Sequence, residues 1–115
     1  MVYTTPSGWN VDFCSRRVEK ELEVMAADIR ADFAHVVQLI ENYGLNNLRE
    51  PQIKHLVGKI WEMRLRGKDG IARAAYITAN GRRVVVLHCF VKKTQATPQD
   101  AIKLAIKRAK EAGYL

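Results

Sequence analysis

Apolar residues near the N-terminus recur every three to four positions, a spacing that predicts two successive helices. The first helix follows Ser15, which is suited to cap it, and the second begins near Asp28 and ends at Gly44. Their apolar positions are Val18, Leu22 and Met25 in the first helix and Ile29, Phe33, Val36, Val37 and Ile40 in the second. The two helices are expected to form a hairpin that packs on a sheet.

Alternation of apolar and polar residues with a period of two predicts strands before and after these helices. Residues 8–13 predict a short first strand, and residues 60–66, 71–79 and 83–91 predict three longer ones. Asn80-Gly81 predicts a two-residue hairpin loop, because both residues tolerate the positive φ angles of a type I′ turn. Residues 45–59, which contain Pro51, are predicted to be irregular.

The last segment predicts a C-terminal helix. Thr97 is placed as its cap and Pro98 at its first position, and an apolar stripe follows at Ala101, Ile102, Ala105, Ile106 and Ala109. The predicted order is βααβββα. This is an α+β fold with a mostly antiparallel four-stranded sheet, an N-terminal helical hairpin and a C-terminal helix. At 115 residues, the chain is predicted to form one domain over residues 1–115.

Positive charge is concentrated on the predicted sheet. Residues 49–93 hold eleven Lys and Arg residues against three Asp and Glu residues, whereas residues 1–48 carry an excess of acidic residues. A basic sheet beside an acidic helical layer is typical of proteins that bind phosphate backbones. The net charge of +7 leaves three partner classes open: nucleic acid, an anionic membrane surface and an acidic protein.

Several classes of protein are disfavoured by the sequence. The longest nearly apolar run, residues 84–91, is interrupted by His88 and is too short to span a bilayer. The first residues lack the basic and apolar segments of a secretory signal. Cys14 and Cys89 lie in apolar strand contexts, which favours buried thiols in a reducing cytoplasm. No Cys/His spacing suggests zinc, and neither a metal nor a cofactor is predicted.

The two predicted turns place three basic residues in one row across the sheet. A two-residue loop at Asn80-Gly81 sets Arg73 opposite His88, and a four-residue loop at 67–70 sets Arg64 opposite Arg73. Two facing arginines are unfavourable without an anion between them, so the row predicts a phosphate site. The flanking rows on this face hold Arg66, Ile71 and Phe90 on one side and Glu62, Ala75 and Val86 on the other, and Lys92 continues the face beyond the strand.

The same residues are compatible with structural roles. Arginines on an edge strand are commonly solvated, and a lone histidine in an apolar strand is more often a hydrogen-bonded core residue than a catalyst. Lys54 and Lys59, in the predicted irregular segment, are interpreted as phosphate contacts. Phe90 is the better candidate for base stacking, because Trp61 is predicted to face the helices as a core residue.

Three segments of the predicted sheet match a known pattern. They are Ile-Trp-Glu-Met-Arg-Leu-Arg-Gly at residues 60–67, Ile-Ala-Arg-Ala-Ala-Tyr at 71–76 and Val-Leu-His-Cys-Phe-Val-Lys-Lys-Thr-Gln-Ala-Thr-Pro at 86–98. Together they resemble the RelE/ParE toxin superfamily, and its HigB-like, phage-derived branch in particular. The resemblance covers roughly residues 15–112, and the predicted element order agrees with the RelE-like fold.

The resemblance implies the toxin of a type II toxin–antitoxin pair, an endoribonuclease that enters the ribosomal A site and cleaves mRNA without metal. In such enzymes the ribose 2′-OH attacks the adjacent phosphate and leaves a cyclic phosphate. By position, Arg73 matches the arginine that stabilises the transition state. Lys92 and Lys93 match the basic pair after the last strand, and Glu62 and Arg64 match the Glu-x-Arg strand.

The proton acceptor stays open between three groups. Glu62 and His88 are the titratable groups on the predicted face with suitable reference pKa values, and a lysine whose pKa is lowered by crowded cations is the third. The expected partners are mRNA on the ribosome and a cognate antitoxin, a small helix-turn-helix DNA-binding protein that masks the basic face. Two other functions stay open: a non-catalytic ParE-like toxin that poisons DNA gyrase, and a simple nucleic-acid-binding domain.

Overall fold

A five-stranded sheet forms the centre of the computed structural model, which describes residues 4–92 and 96–115. Along the chain the elements are β1 (Asn10–Phe13), α1 (Arg16–Glu23), α2 (Ala27–Tyr43), a short 3-10 turn (Leu45–Asn47), β2 (Ile53–Val57), β3 (Ile60–Gly67), β4 (Gly70–Ala79), β5 (Arg83–Lys92) and α3 (Gln99–Glu111). In space the strands follow the order β1-β5-β4-β3-β2. Only β1 runs parallel to its neighbour, β5, among these strands. The α+β class and the mostly antiparallel sheet are therefore confirmed.

The sheet has one strand more than the sequence pattern predicts. β2 lies within residues 45–59, which were predicted to be irregular, and it pairs only with β3 at the edge of the sheet. Its pairing is irregular between His55 and Val57, and its residues are exposed or half-buried. A strand that is mostly exposed and interrupted by a bulge lacks the alternating pattern that identifies strands in a sequence.

Each face of the sheet is covered by helices. α1 and α2 pack on one face, where the predicted apolar positions of both helices meet side chains such as Met63, Leu65, Tyr76 and Val86. α3 packs on the opposite face through Ala105 and Ala109, against Ala75, Ile77, Val85 and Leu87. No helix among the described residues has the length and apolar character needed to cross a membrane.

The register between β4 and β5 differs from the prediction at two places. The hairpin loop has three residues, 80–82, because Ala79 pairs with Arg83 and Arg82 adopts a left-handed φ of 58°. A bulge then shifts the register again between Ala75 and Tyr76, so that Ala75 pairs with His88. The loop and the bulge each shift β5 by one residue in the same direction, so His88 and Phe90, beyond the bulge, stay on the predicted face. Val86, before the bulge, pairs with Tyr76 and packs with α1 and α2, so its predicted place on the basic face is wrong.

On the side away from β4, the second half of β5 has no neighbouring strand, and side chains from two helices cover this edge. β1 ends at Phe13 opposite Val86, and beyond that point the amide of Cys89 donates to Oε1 of Glu21 in α1 at 3.0 Å. Both terminal nitrogens of Arg108 in α3 donate to the Glu21 carboxylate, at 3.0 Å and 2.9 Å. Arg108 and Glu21 therefore link the helices of opposite faces across the edge of β5.

Candidate phosphate-binding site

A pocket of about 210 Å³ opens on the face of the sheet that carries α3. Strands β2 to β5 supply five of its charged side chains, and the segment that leads into β2 adds Glu50 and closes one side. Its lining residues are Glu50, Pro51, Ile53, Lys54, Glu62, Arg64, Arg73 and Lys92. We call this the cationic pocket, because it contains two arginines and two lysines against two glutamates.

The predicted pairing of Arg64 with Arg73 is confirmed, and it forms the centre of the pocket. In the observed register this row continues to Phe90 rather than to His88. The side chain of Arg73 is only 9% exposed, and its Nε lies 3.3 Å from Oε1 of Glu62, whose side chain is 2% exposed. The row therefore brings two guanidinium groups together around one buried carboxylate.

Polar atoms of this cluster lack hydrogen-bond partners among the described residues. They are the Nε atoms of Arg64 and Arg73 and Oε1 of Glu62, since the ion pair between Arg73 and Glu62 does not have hydrogen-bond geometry. Buried polar groups are nearly always satisfied, so these three atoms make the wall of the cationic pocket an exception among buried side chains. Burial lowers the pKa of Arg73; Glu62 opposes this shift and Arg64 adds to it.

Glu62 is held in place by a residue outside the sheet. The Thr97 hydroxyl donates to Oε2 of Glu62 at 2.7 Å, and α3 begins two residues later at Gln99, with Pro98 as its cap residue. The prediction that Thr97 caps the helix is therefore wrong. Its hydroxyl instead satisfies one oxygen of the carboxylate that is paired with Arg73.

Lys92 ends β5 and reaches the same pocket. Burial and the positive charge of Arg73 lower the pKa of the Lys92 ammonium group, and Lys54 and Arg64 contribute in the same direction against the opposing effect of Glu62. A lysine with a depressed pKa loses its proton more readily, which suits it to accept one from a substrate.

The structure brings five of the predicted site residues together and separates the others. Glu62, Arg64, Arg73, Lys92 and Lys54 line the cationic pocket, with Lys54 on β2 rather than in a loop. Arg66, Lys59 and Phe90 do not line it, and Lys93 lies outside the described residues. Arg66 is exposed one row further along, in line with Ile71 and Lys92. Lys59 lies in the turn between β2 and β3, and Phe90 stacks on His88 at 4.9 Å.

The predicted row that joins His88 to Arg73 is wrong. The three-residue loop and the bulge move His88 opposite Ala75, and its Nδ1 lies 2.9 Å from Oε1 of Glu21. With Arg108 also at 3.3 Å, the imidazole belongs to the link between α1 and α3. The contacts of His88 therefore support the structural interpretation, in which it is a hydrogen-bonded residue of the interior.

Three residues of the cationic pocket were not predicted from the sequence, and Trp61 was misplaced. Glu50, Pro51 and Ile53 line the pocket from a segment that was predicted to be irregular, where no periodic pattern ties a residue to the sheet. Trp61 pairs with Tyr76 and faces the helices as predicted, but it is 37% exposed and is not a core residue. On the side away from β4, β3 is flanked there only by the short edge strand β2, and the indole ring is left partly exposed.

Comparisons with known proteins agree with this architecture. A family model described as "Phage derived protein Gp49-like (DUF891)" matches residues 20–110. A chain of the archaeal RelE-RelB complex from Pyrococcus horikoshii OT3 has the same fold, with a TM-score of 0.55 and 17% sequence identity over 77% of this chain and 99% of that chain. No curated protein sequence matches the chain.

Proposed function

The chain belongs to the Gp49-like family of phage-derived proteins, a family of the RelE/HigB toxin type, and from this premise we propose that it is a ribosome-dependent endoribonuclease. It would cleave mRNA in the ribosomal A site as the toxin of a type II toxin–antitoxin pair. The observation that carries the proposal is the cationic pocket, which the facing residues Arg64 and Arg73 line together. An RNA phosphate has the charge and the oxygen geometry to bind both guanidinium groups.

The proposed reaction needs no covalent enzyme intermediate. A base in the pocket takes the proton of the ribose 2′-OH, and the 2′ oxygen forms a bond to the adjacent phosphorus. The bond from phosphorus to the 5′ oxygen breaks, and that oxygen leaves with a proton. The products are a 2′,3′-cyclic phosphate and a free 5′-OH end. Negative charge grows on the non-bridging oxygens during attack, so fixed cations stabilise the transition state more than the bound substrate.

Arg73 and Arg64 are the residues proposed to hold the scissile phosphate. Glu62 is proposed as a positioning residue, because it is buried and contacts both Arg73 and the Thr97 hydroxyl. A carboxylate fixed in this way restricts the Arg73 side chain to one orientation, and preorganised charge is what makes electrostatic catalysis effective.

Lys92 is the proposed base, since its pKa is depressed by burial and by the neighbouring cations. Glu50 is the alternative, because its carboxylate lines the same pocket. His88 is left out of this proposal because it does not line the pocket. Lys54, Arg66 and Lys59 are proposed as contacts to neighbouring phosphates on the ribosome or the message.

The proposed partner is an antitoxin that masks this surface. The structural neighbour belongs to a RelE-RelB complex, and a corresponding complex here would bring an acidic or amphipathic segment over the basic face. A small neighbouring open reading frame that encodes a helix-turn-helix protein would support the pairing. An antitoxin that leaves Arg64 and Arg73 uncovered would contradict direct masking.

The proposed function is tested by inducing the protein in bacteria and sequencing the new 5′ ends of mRNA. The wild type is expected to produce ends inside translated codons, and Arg73→Lys is expected to reduce them by about 100-fold or more, because it keeps the charge but loses the guanidinium fork. The matched control is Arg17→Lys, an exposed arginine of α1 that does not line the cationic pocket, which should cleave almost normally. Absence of cleavage by the wild type, with trapped gyrase–DNA complexes instead, would favour the ParE-like alternative.

A further inference from the structure

A second pocket lies beside the cationic pocket, on the other face of β2 and β3. Its volume is about 370 Å³, and both tryptophans of the chain line it. The lining residues are Trp9, Leu45, Asn46, Leu48, Ile53, Trp61, Tyr76 and Thr78. We call it the tryptophan pocket. Ile53 lines both pockets, so the two adjoin at this residue.

The walls of the tryptophan pocket are aromatic and partly open to solvent. Trp61 is 37% exposed although it lies on a long strand, and its ring makes an edge contact with His55 at 5.2 Å between centroids. Trp9 is half-buried, with its backbone amide bonded to Ser7 and its carbonyl to Thr5. These contacts restrict both indoles before any ligand arrives, which reduces the entropic cost of binding a flat group.

The pocket also offers a polar group. Tyr76 lines it from β4 and is only 1% exposed. Burial raises the pKa of this phenol well above its ordinary value, so the group stays a neutral donor and acceptor. An aliphatic ligand would offer the hydroxyl no hydrogen bond and shield it from water, which is unfavourable. A flat ligand with a polar edge would offer it one.

From this geometry we propose that the tryptophan pocket binds an unpaired nucleobase of the RNA whose phosphate lies in the cationic pocket. This inference rests on the proposed function and adds to it a subsite that reads a base. Trp61 provides the stacking face, and Tyr76 contacts the polar edge of the base. Unstacked bases in single-stranded RNA are recognised in this way, by aromatic stacking together with hydrogen bonds to their edges.

The strand path follows from the topology. Trp61 and Glu62 are consecutive residues of β3 and therefore point to opposite faces of the sheet. β2 is the edge strand, so RNA can cross that edge with a phosphate on one face and a base on the other. Because Ile53 lines both pockets, neighbouring nucleotides of one strand would occupy them.

Intrinsic fluorescence tests the proposal directly, because the only two tryptophans line the pocket. The probe is a short single-stranded RNA with 2′-O-methyl riboses, which cannot be cleaved by 2′-OH attack. It is expected to quench the wild-type protein. A series of probes, each abasic at one position, is expected to contain one member that still binds, as judged by fluorescence anisotropy, but no longer quenches. Equal quenching by every abasic probe, or none by any RNA up to millimolar concentration, would overturn the proposal.

Variants separate stacking from general charge. Trp61→Leu is expected to weaken RNA binding by roughly tenfold, within the range that one base on an aromatic ring contributes. Trp61→Phe should restore much of the affinity. Tyr43→Leu is the matched control, since Tyr43 is an aromatic residue that is 66% exposed and lies outside the pocket. Unchanged affinity in Trp61→Leu, or quenching only by an antitoxin segment, would contradict a base subsite.

The same variants distinguish failure of the subsite from failure of the proposed function. If the wild type and Trp61→Leu cut the same codons at the same rate on translating ribosomes, the subsite is wrong and the endoribonuclease proposal stands. If the wild type does not cleave mRNA but a single abasic position removes quenching, the base subsite stands and the cleavage proposal fails.

Discussion

Thr97 precedes the last helix and has the sequence context of a helix cap, yet its hydroxyl donates to Glu62 at 2.7 Å. The sequence cannot distinguish a helix cap from a hydrogen-bond donor to another element, because a Ser or Thr before an apolar helical pattern is compatible with both roles. Only the approach of residue 97 to β3 distinguishes them, and that approach depends on tertiary packing. Site residues that act through such contacts are therefore beyond prediction from spacing.

Replacing Thr97 tests its role as a support for Glu62. Thr97→Val keeps the shape but removes the hydroxyl, so a buried carboxylate oxygen loses its partner. The free energy of unfolding is expected to fall by about 1–3 kcal/mol in urea denaturation. Thr97→Ser retains the hydroxyl and should behave almost like the wild type. Equal stability of the Val and Ser variants would contradict the contact.

Lys92 makes a prediction about pH. Burial and Arg73 hold its pKa below the ordinary lysine value, so the fraction of unprotonated lysine increases as the pH approaches that lowered pKa. If Lys92 is the base, single-turnover cleavage should become faster with rising pH and level off above the pKa. Lys92→Met should abolish this rise, and Glu50→Gln should preserve it.

A different outcome in these variants would identify Glu50 as the base. If Glu50 is the base, Glu50→Gln should abolish cleavage and Lys92→Met should leave most of it intact. A rising limb that survives in Lys92→Met would contradict the assignment to lysine.

Among the elements, the helices and the long strands were predictable and the edge strand was not. α1, α2 and β3 to β5 show periodic patterns that extend over several turns or alternations. β2 is short, exposed and bulged, so its neighbours rather than its sequence determine its conformation. The error in register arose in the same way. Asn80-Gly81 is a strong hairpin signal, but the loop includes Arg82 as well, and nothing in the sequence marks the bulge near His88.

The contact between α2 and the β3–β4 hairpin gives a prediction at this scale. Asp32 and Asp28 accept the amides of Arg66 and Lys68, both at 2.7 Å, and a Cβ added at Gly67 would lie 2.8 Å from Ile29. Gly67→Ala is expected to lower the free energy of unfolding by about 1–3 kcal/mol, because packed backbone and side chains must shift.

Gly70 provides the matched control for Gly67, since it lies at the other end of the same turn and its added Cβ would meet nothing within 4 Å. Gly70→Ala should stay within about 0.5 kcal/mol of the wild type. Equal effects at both positions in chemical denaturation would contradict close packing of α2 against the hairpin.

The link between α1 and α3 predicts a pH-dependent stability. Burial alone would raise the pKa of Glu21, but hydrogen bonds from Arg108, His88 and the Cys89 amide outweigh it and lower the pKa. A carboxylate with a lowered pKa stabilises the fold above its unfolded pKa, and this contribution is lost as the pH falls through the folded value. Glu21→Gln should therefore be clearly less stable than the wild type at pH 7, and the difference should shrink near pH 3.

Arg108→Met tests the other side of this link. The free energy of unfolding is expected to fall by about 3 kcal/mol at pH 7, since Glu21 is left partly buried without its main partner. Lys107→Met is the control, because Lys107 is 73% exposed and its ion pair with Glu111 is solvated. A similar loss in both variants would show that Arg108 does not connect the helices.

For the whole molecule, the sequence predicted the concentration of positive charge on the sheet and the fold class. It predicted only part of the arrangement of the site. The basic residues of 49–93 are spread along strands β2 to β5 and the segments beside them, but only some of them line the cationic pocket. The pairing of Arg64 with Arg73 depended on one short turn and was predicted correctly. Glu50 and Trp61 required the position of β2, which no local pattern supplied.

A defined ribosomal complex tests whether the cationic pocket cleaves RNA through the ribose 2′-OH. The purified protein is added to ribosomes that hold a known mRNA codon in the A site, and the ends of the mRNA fragments are determined. We predict an upstream fragment with a 2′,3′-cyclic phosphate. A single 2′-deoxy substitution at the cleaved nucleotide should block cleavage there, and Arg73→Lys should reduce it by about 100-fold. Continued cleavage at the 2′-deoxy position, or equal cleavage by the Arg73 variant, would contradict the proposed mechanism.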